Sequence, residues 1–133
     1  MKKITILLNL MILSSCLKNE LKNFENILTN EKNIWGFYTG NYSNYKNSDF
    51  VSTYKFSKDN KYHDLYISSQ LGGTGTWEII SDKKILRLNK KDDYKIISYN
   101  NDSIVLESIT YNSEARFYNV KVIKKLKANL EGK

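Results

Sequence analysis

Few side chains in this chain have the type and spacing that catalysis or metal binding requires. The 133-residue sequence contains one histidine, His63, which excludes a site built from several histidines. His63 could pair with Asp59 or Asp64, but it lies in a strand-like run beside a turn, and we expect it on the surface. The sequence therefore predicts no catalytic residues, no metal site, no cofactor and no enzymatic activity.

Two further features look like functional motifs but are better explained by backbone structure. Asp92 and Asp93 are adjacent, and adjacent side chains at the start of a strand point apart, so turn chemistry explains them better than an acid–base pair. The segment QLGGTG is rich in glycine. No Gly-Lys-Ser/Thr follows it, as a phosphate-binding loop would require. We expect these glycines to allow a hairpin turn, a bulge or a bent strand.

Cys16 carries the most specific chemical prediction. It is the only cysteine, so no intramolecular disulfide can form. Lys2 and Lys3 precede an apolar run from Ile4 to Leu13, and small residues then lead to Cys16. This order is typical of a secretory signal peptide. The apolar run is shorter than the roughly 20 residues that span a bilayer, which disfavours a transmembrane anchor.

The four residues Leu13-Ser14-Ser15-Cys16 resemble the lipobox of bacterial lipoproteins. The resemblance implies that residues 1–15 are removed, that Cys16 is acylated, and that the chain is anchored in the bacterial envelope, in the outer membrane if the cell has one. Two or more acyl chains hold a protein stably to a membrane, whereas one does so only marginally. The alternative is an ordinary signal peptide followed by a chance cysteine, which would leave a free thiol in an oxidising compartment.

The segments flanking the main domain are polar. Residues 16–33 are predicted to be a lipid-anchored tether, either a short helix or a flexible stalk. Its apolar residues recur at helical spacing, which favours one turn packed on the domain, and they are Leu17, Leu21, Phe24, Ile27 and Leu28. The formal net charge is +7, and residues 126–133 form a basic tail. We interpret the tail as a solvated terminus; contact with anionic lipid or an acidic partner is the alternative.

Strand-forming residues dominate from residue 34 to residue 125. They fall into eight short runs separated by Asn- and Asp-rich turns, at 35–42, 50–57, 61–68, 74–81, 84–89, 93–100, 103–110 and 114–124. Several runs alternate, as where Gly75 and Trp77 share a face opposite Thr74, Thr76 and Glu78. We expect Trp77 to lie in the core. Short connections make neighbouring strands antiparallel. The sequence therefore predicts an all-β fold, a small up-and-down barrel of about eight strands.

Several of these segments resemble bacterial lipocalin-like domains: IWGFYTGNY the first strand, GTGTWEIISDKKILRL and DDYKIISYNNDSIVLE the middle hairpins, and ARFYNVKVIKK the last strand. The resemblance implies a calyx able to hold a small apolar ligand, or a barrel filled by its own side chains. We therefore expect a non-enzymatic module that binds a small apolar ligand or an envelope component. The alternative is a protein-interaction lipoprotein, such as an immunity protein or an inhibitor of a toxin or lysozyme.

A binding surface is predicted at one end of the barrel. The polar connection from Asn41 to Asp49 carries Tyr42, Tyr45 and Lys46, and exposed aromatic residues on a loop are typical of recognition. The meander places this connection at the same end as the glycine-rich segment 71–75. Nucleic acid is not expected as a partner, since an exported, membrane-anchored protein rarely meets it.

Overall fold

The computed structural model describes residues 2–39, 52–65 and 73–122. Within them, a long helix precedes eight strands. The elements are α1 (Lys2–Leu28), β1 (Trp35–Thr39), β2 (Ser52–Phe56), β3 (Lys61–Asp64), β4 (Thr74–Ile80), β5 (Ile85–Leu88), β6 (Asp92–Tyr99), β7 (Ser103–Ser108) and β8 (Ser113–Asn119). Each of the eight predicted runs overlaps one of these strands, although β6 and β8 each begin one residue before the predicted run.

The strands form a closed antiparallel barrel in sequence order. Each strand pairs with the next, and β1 also pairs with β8, from Trp35 opposite Asn119 to Thr39 opposite Ala115. Closure leaves none of the eight described strands with an unpaired edge that could template aggregation. The predicted up-and-down barrel is confirmed.

The barrel has two unlike ends. The loop end is where β1, β3, β5 and β7 finish, and its described connections include the turns 89–91 and 109–112. The helix end is opposite, with the turns 57–60, 81–84 and 100–102. β1 and β3 both finish at the loop end; residues 40–51 and 66–72, which follow them in the sequence, lie outside the described residues.

Alternation along the strands places one set of side chains inside the barrel. In β4, Gly75 and Trp77 are buried, whereas Thr74, Thr76 and Glu78 are exposed. Trp77 is only 3% exposed, which confirms its predicted place in the core. The Trp77 indole N–H donates to the carbonyls of Ser57 and Lys61 at 3.0 and 3.1 Å, so its polar atom is satisfied at the helix end.

Helix α1 contributes to the same core. The sequence left open a helix or a flexible stalk for residues 16–33, and the structure is helical through Leu28. Leu21, Phe24 and Leu28 are buried with the barrel core, and Leu17 packs against it. These positions are three or four residues apart, so they form one stripe of roughly three turns rather than the single packed turn that was expected. In the described part of the chain, no helix combines the length and apolar character needed to cross a bilayer.

Candidate functional site

Among the described residues, the structure does not bring together the candidates for chemistry or binding that were selected from the sequence. Tyr42, Tyr45 and Lys46 lie outside the described residues. Cys16 is exposed on α1. His63 is exposed, as expected. It lies in β3, where it is opposite Lys55 of β2 and Thr74 of β4.

Asp93, one member of the adjacent aspartate pair, forms an ion pair on the outer wall of the barrel. Its carboxylate accepts two hydrogen bonds from the Arg87 guanidinium, at 2.6 and 2.8 Å. This bidentate contact holds the pKa of Asp93 below its usual range. Glu78 lies 3.8 Å from the other side of Arg87, across neighbouring strands. The arrangement links β4, β5 and β6, so Asp93 has a structural partner.

The interior of the barrel is occupied by its own aromatic side chains. Phe37 and Phe117 have ring centroids 5.0 Å apart, and Phe56 lies 5.6 Å from Phe117. Tyr54 and Tyr62 pack edge to face at 4.9 Å. These separations are those of rings in van der Waals contact. An eight-stranded barrel has room either for its own side chains or for one small ligand, and the described part of this interior is filled by side chains.

The helix end is closed by α1. Phe24 is fully buried and packs edge to face against Tyr99, with ring centroids 5.2 Å apart. The Trp35 indole N–H donates to the carbonyl of Leu28 at 3.1 Å, within the buried region. This bond satisfies a carbonyl in the last turn of the helix, where no intrahelical donor is available. The apolar face of α1 therefore takes the place that a ligand would take at this end.

Two buried amides join the end of the helix to the last strand. The Asn119 side chain donates to the Asn33 side-chain oxygen at 2.9 Å and to the Asn101 carbonyl at 3.2 Å. Asn33 in turn donates to the Ile27 carbonyl at 3.0 Å. Each amide is less than a tenth exposed, so loss of either partner would leave buried polar atoms unsatisfied.

The interior near the loop end carries tyrosine hydroxyls. Tyr62 accepts a hydrogen bond of 2.8 Å from the Asn89 side chain, in the turn after β5. Burial raises the pKa of Tyr94 to about 12, with smaller contributions from Asp92 and from the nearby Tyr54 and Tyr62. The polar ends of the core tyrosines therefore lie together beneath the loop end.

Gly75 is required by this tyrosine packing. A Cβ atom at position 75 would lie 2.2 Å from Cζ of Tyr62, far inside van der Waals contact. The ring cannot simply move aside, because Tyr62 is buried and its hydroxyl is bonded to Asn89. The role of Gly75 is thus to make room for a neighbouring ring.

Three exposed hydrophobic side chains lie at the loop end. Leu65, Ile109 and Tyr111 are 41%, 54% and 71% exposed. Their backbones are nevertheless fixed: Leu65 donates to Thr53, Ile109 to Asp93, and Tyr111 to the Ser108 side chain. We call these three residues the loop-end hydrophobics. These three residues were not predicted from the sequence as binding residues, and their only sequence signal is their position beside polar turn residues.

The opposite end differs in this respect. Among the described strand and turn residues, the only other exposed large hydrophobic side chain is Ile97, which lies on the outer wall. Ile97 lies at a bulge in β6 where the register with β7 shifts. It borders a groove of about 270 Å³ along β6, β7 and β8, open on the outer surface. Among the described strand and turn residues, exposed large hydrophobic side chains are therefore concentrated at the loop end, with one on the wall; Met11 and Leu13 are also exposed, on α1.

The described residues contain no candidate metal site. Residues 2–39, 52–65 and 73–122 contain no group of three or more histidine, cysteine or acidic side chains placed to hold a metal ion. The described geometry thus offers a filled core, a closed helix end and a loop end with exposed hydrophobic groups, an arrangement suited to binding at the surface.

Comparisons with known proteins assign no family. No protein-family model matches the chain, and searches of curated proteins and of solved structures found no match. The lipobox and lipocalin-like resemblances thus remain predictions, apart from the barrel architecture itself.

Proposed function

We propose that this chain is a non-enzymatic lipoprotein of the bacterial envelope, acylated at Cys16, whose barrel binds a protein partner through its loop end. The observation that carries the choice of partner is the aromatic filling of the barrel, from Phe37 and Tyr54 through to Phe117. A barrel whose described interior is occupied by its own side chains is better suited to binding through its outer surface than through an internal pocket.

The loop-end hydrophobics support the location of the binding surface. Exposed aromatic and aliphatic groups on a fixed backbone lose little conformational entropy when a partner covers them. Tyrosine is also enriched among residues that dominate interface energies. Tyr42, Tyr45 and Lys46 belong to the segment that follows β1, so by sequence position they are candidates for the same surface.

A protein partner corresponds to the alternative function predicted from the sequence, a protein-interaction lipoprotein. An immunity protein or an inhibitor recognises a toxin or a lysozyme through surface side chains and needs no internal cavity. Binding of a small apolar ligand inside the barrel is less well supported, since described side chains take up the interior and α1 closes one end.

Acylation is tested by metabolic labelling. Cells grown with radiolabelled palmitate should incorporate label into the wild-type chain and not into Cys16→Ser. Ser15→Ala is the matched control, because alanine is equally small and should preserve processing. An unlabelled wild-type chain, or an unmodified Cys16 in its intact mass, would exclude the lipid anchor.

Partner binding is tested by photo-crosslinking in intact cells. A photoreactive amino acid in place of Tyr111 should cross-link to one defined protein, and the same group in place of Lys83, at the helix end, should not. Once that protein is purified, Tyr111→Ala should weaken binding on the order of 30-fold. Cross-links from Lys83 alone, or tight binding of a fluorescent fatty acid with no cross-link at either position, would reject the proposal.

A further inference from the structure

The structure constrains how a lipid anchor at Cys16 would hold the barrel. Leu17, the next residue, already packs against the core, and Leu21 is buried in it. At a rise of 1.5 Å per residue, Cys16 lies only about 8 Å along the helix from Leu21. There is thus no length of free chain between the acylation site and the folded domain.

Three contacts fix the direction of this part of the helix. The Glu20 carboxylate forms an ion pair of 2.9 Å with Lys84, in the turn between β4 and β5. The Tyr99 hydroxyl donates to the Glu20 carbonyl at 2.8 Å, and the Tyr99 ring packs on Phe24. Glu20 is one turn from Cys16, so the cysteine lies near the rim of the helix end formed by the 81–84 turn and the end of β6.

We infer that the acylated protein is held against the phospholipid bilayer in one orientation, with the helix end at the headgroups and the loop end facing away. The inference rests on the proposed lipid anchor and adds the geometry that the anchor imposes. A stalk of flexible residues would let the domain tumble; here the anchor continues directly into a helix that is part of the core.

Surface charge does not explain this orientation by itself. Exposed lysines at the helix end are interspersed with acidic residues: Lys18, Lys22, Lys32, Lys58 and Lys83 occur with Glu31, Asp59, Asp82 and Asp102. Exposed mixed charges of this kind give only weak attraction to an anionic surface. The orientation therefore comes from the packed helix, and it places the loop-end hydrophobics where a partner outside the membrane can reach them.

Two lysines flanking the same strand provide a matched test. Lys83 precedes β5 at the helix end and Lys91 follows it at the loop end, and both are exposed. The four residues of β5 between them span roughly 13 Å at the rise of a strand, and the flanking turn residues add to this separation. Since Cys16 would be acylated, Lys83→Cys or Lys91→Cys supplies the only free thiol for a fluorescent label.

The labelled, acylated variants are reconstituted in vesicles of phosphatidylethanolamine and phosphatidylglycerol that contain a headgroup-attached quencher. The label at position 83 should be quenched at least twofold more strongly than the label at position 91. Twelve Gly/Ser residues inserted between Cys16 and Leu17 should abolish that difference, because they restore free rotation.

The outcomes separate the inference from the proposed anchor. Failure of the wild-type protein to float with vesicles would overturn the anchor and the orientation together. Flotation with equal quenching at both positions would overturn the orientation alone. A difference that persists in the linker variant would show that the packed helix does not set the orientation, which also contradicts the inference.

Discussion

The two ends of this barrel differ in how their side chains are used. At the helix end, α1 inserts Leu21, Phe24 and Leu28 into the core, and buried amides join the helix to β8. At the loop end, the polar tips of core tyrosines lie beneath turns that expose Ile109 and Tyr111. One end is therefore organised for stability, and the other presents groups that a partner can cover.

The comparison shows where binding can occur in a small filled barrel. Packed side chains fix the walls and the interior, so only surfaces whose side chains carry little of the folding free energy can be used for recognition. In the described strands and turns of this chain, the exposed large hydrophobic side chains lie mainly at the end remote from the helix. The two ends should accordingly respond differently to substitution.

The largest effect is expected from Phe24→Ala at the helix end. Phe24 is fully buried, and truncation of a buried phenylalanine typically costs about 3–5 kcal/mol of unfolding free energy. Urea denaturation measures the change. Lys22→Ala, on the exposed side of the same helix, should change stability by less than about 0.5 kcal/mol. Equal effects from the two variants would show that α1 is a tether and not part of the core.

Alkaline pH should destabilise the fold through Tyr94, by up to about 2–3 kcal/mol. Burial raises the Tyr94 pKa from 10.0 to about 12, so between these pH values the unfolded chain loses the phenolic proton and the folded chain keeps it. The stabilisation is complete below pH 10 and is lost as pH rises through 12. Unfolding free energies from pH 9 to 12 should fall less steeply for Tyr94→Phe than for wild-type. Parallel curves would contradict a buried, neutral Tyr94.

Gly75→Ala should cost about 1–3 kcal/mol, as overpacking of a core does. The added methyl group would overlap the Tyr62 ring, so the cost comes from a displaced side chain. The double variant Gly75→Ala/Tyr62→Leu removes the ring and should be less destabilised than the sum of its single changes, as chemical denaturation can show. Additive costs would mean that Gly75 acts through its backbone alone.

The smallest effect on stability is expected from Tyr111→Ala at the loop end. Because the Tyr111 side chain is 71% exposed, the free energy of unfolding of the variant should stay within about 0.5 kcal/mol of the wild-type value. The same variant should lose partner binding, which would separate recognition from folding. A destabilisation as large as that of Phe24→Ala would remove the distinction between the two ends.

The barrel itself could be predicted from the sequence because local signals agreed with one another. Turn residues separated every pair of strand-like runs, and two predicted turn asparagines, Asn60 and Asn112, have positive φ values of 63° and 47°. Asparagine tolerates this left-handed conformation better than most residues do. Period-two alternation then identified the inward face, as Trp77 illustrates.

The packing of the helix, the role of Gly75 and the exposure of Tyr111 could not be predicted, because they depend on contacts between residues far apart in the chain. The helical spacing of Leu21, Phe24 and Leu28 was visible, but nothing local showed that the open end of a barrel would receive them. Gly75 is separated from Tyr62 by an intervening connection, so its packing role could not be read from the glycine-rich segment. The exposure of Tyr111 likewise depends on neighbouring turns and not on its type.

Hydrogen exchange at the amides of residues 21–28, measured by mass spectrometry on the full acylated protein, tests the central claim most directly. A detached helix of this length is marginal in water, so its amides would exchange quickly. If α1 belongs to the core, these amides should be protected as strongly as those of β7 and β8. Rapid exchange in residues 21–28 beside protected strands would show that the helix end is not closed, and the contrast between the two ends would be wrong.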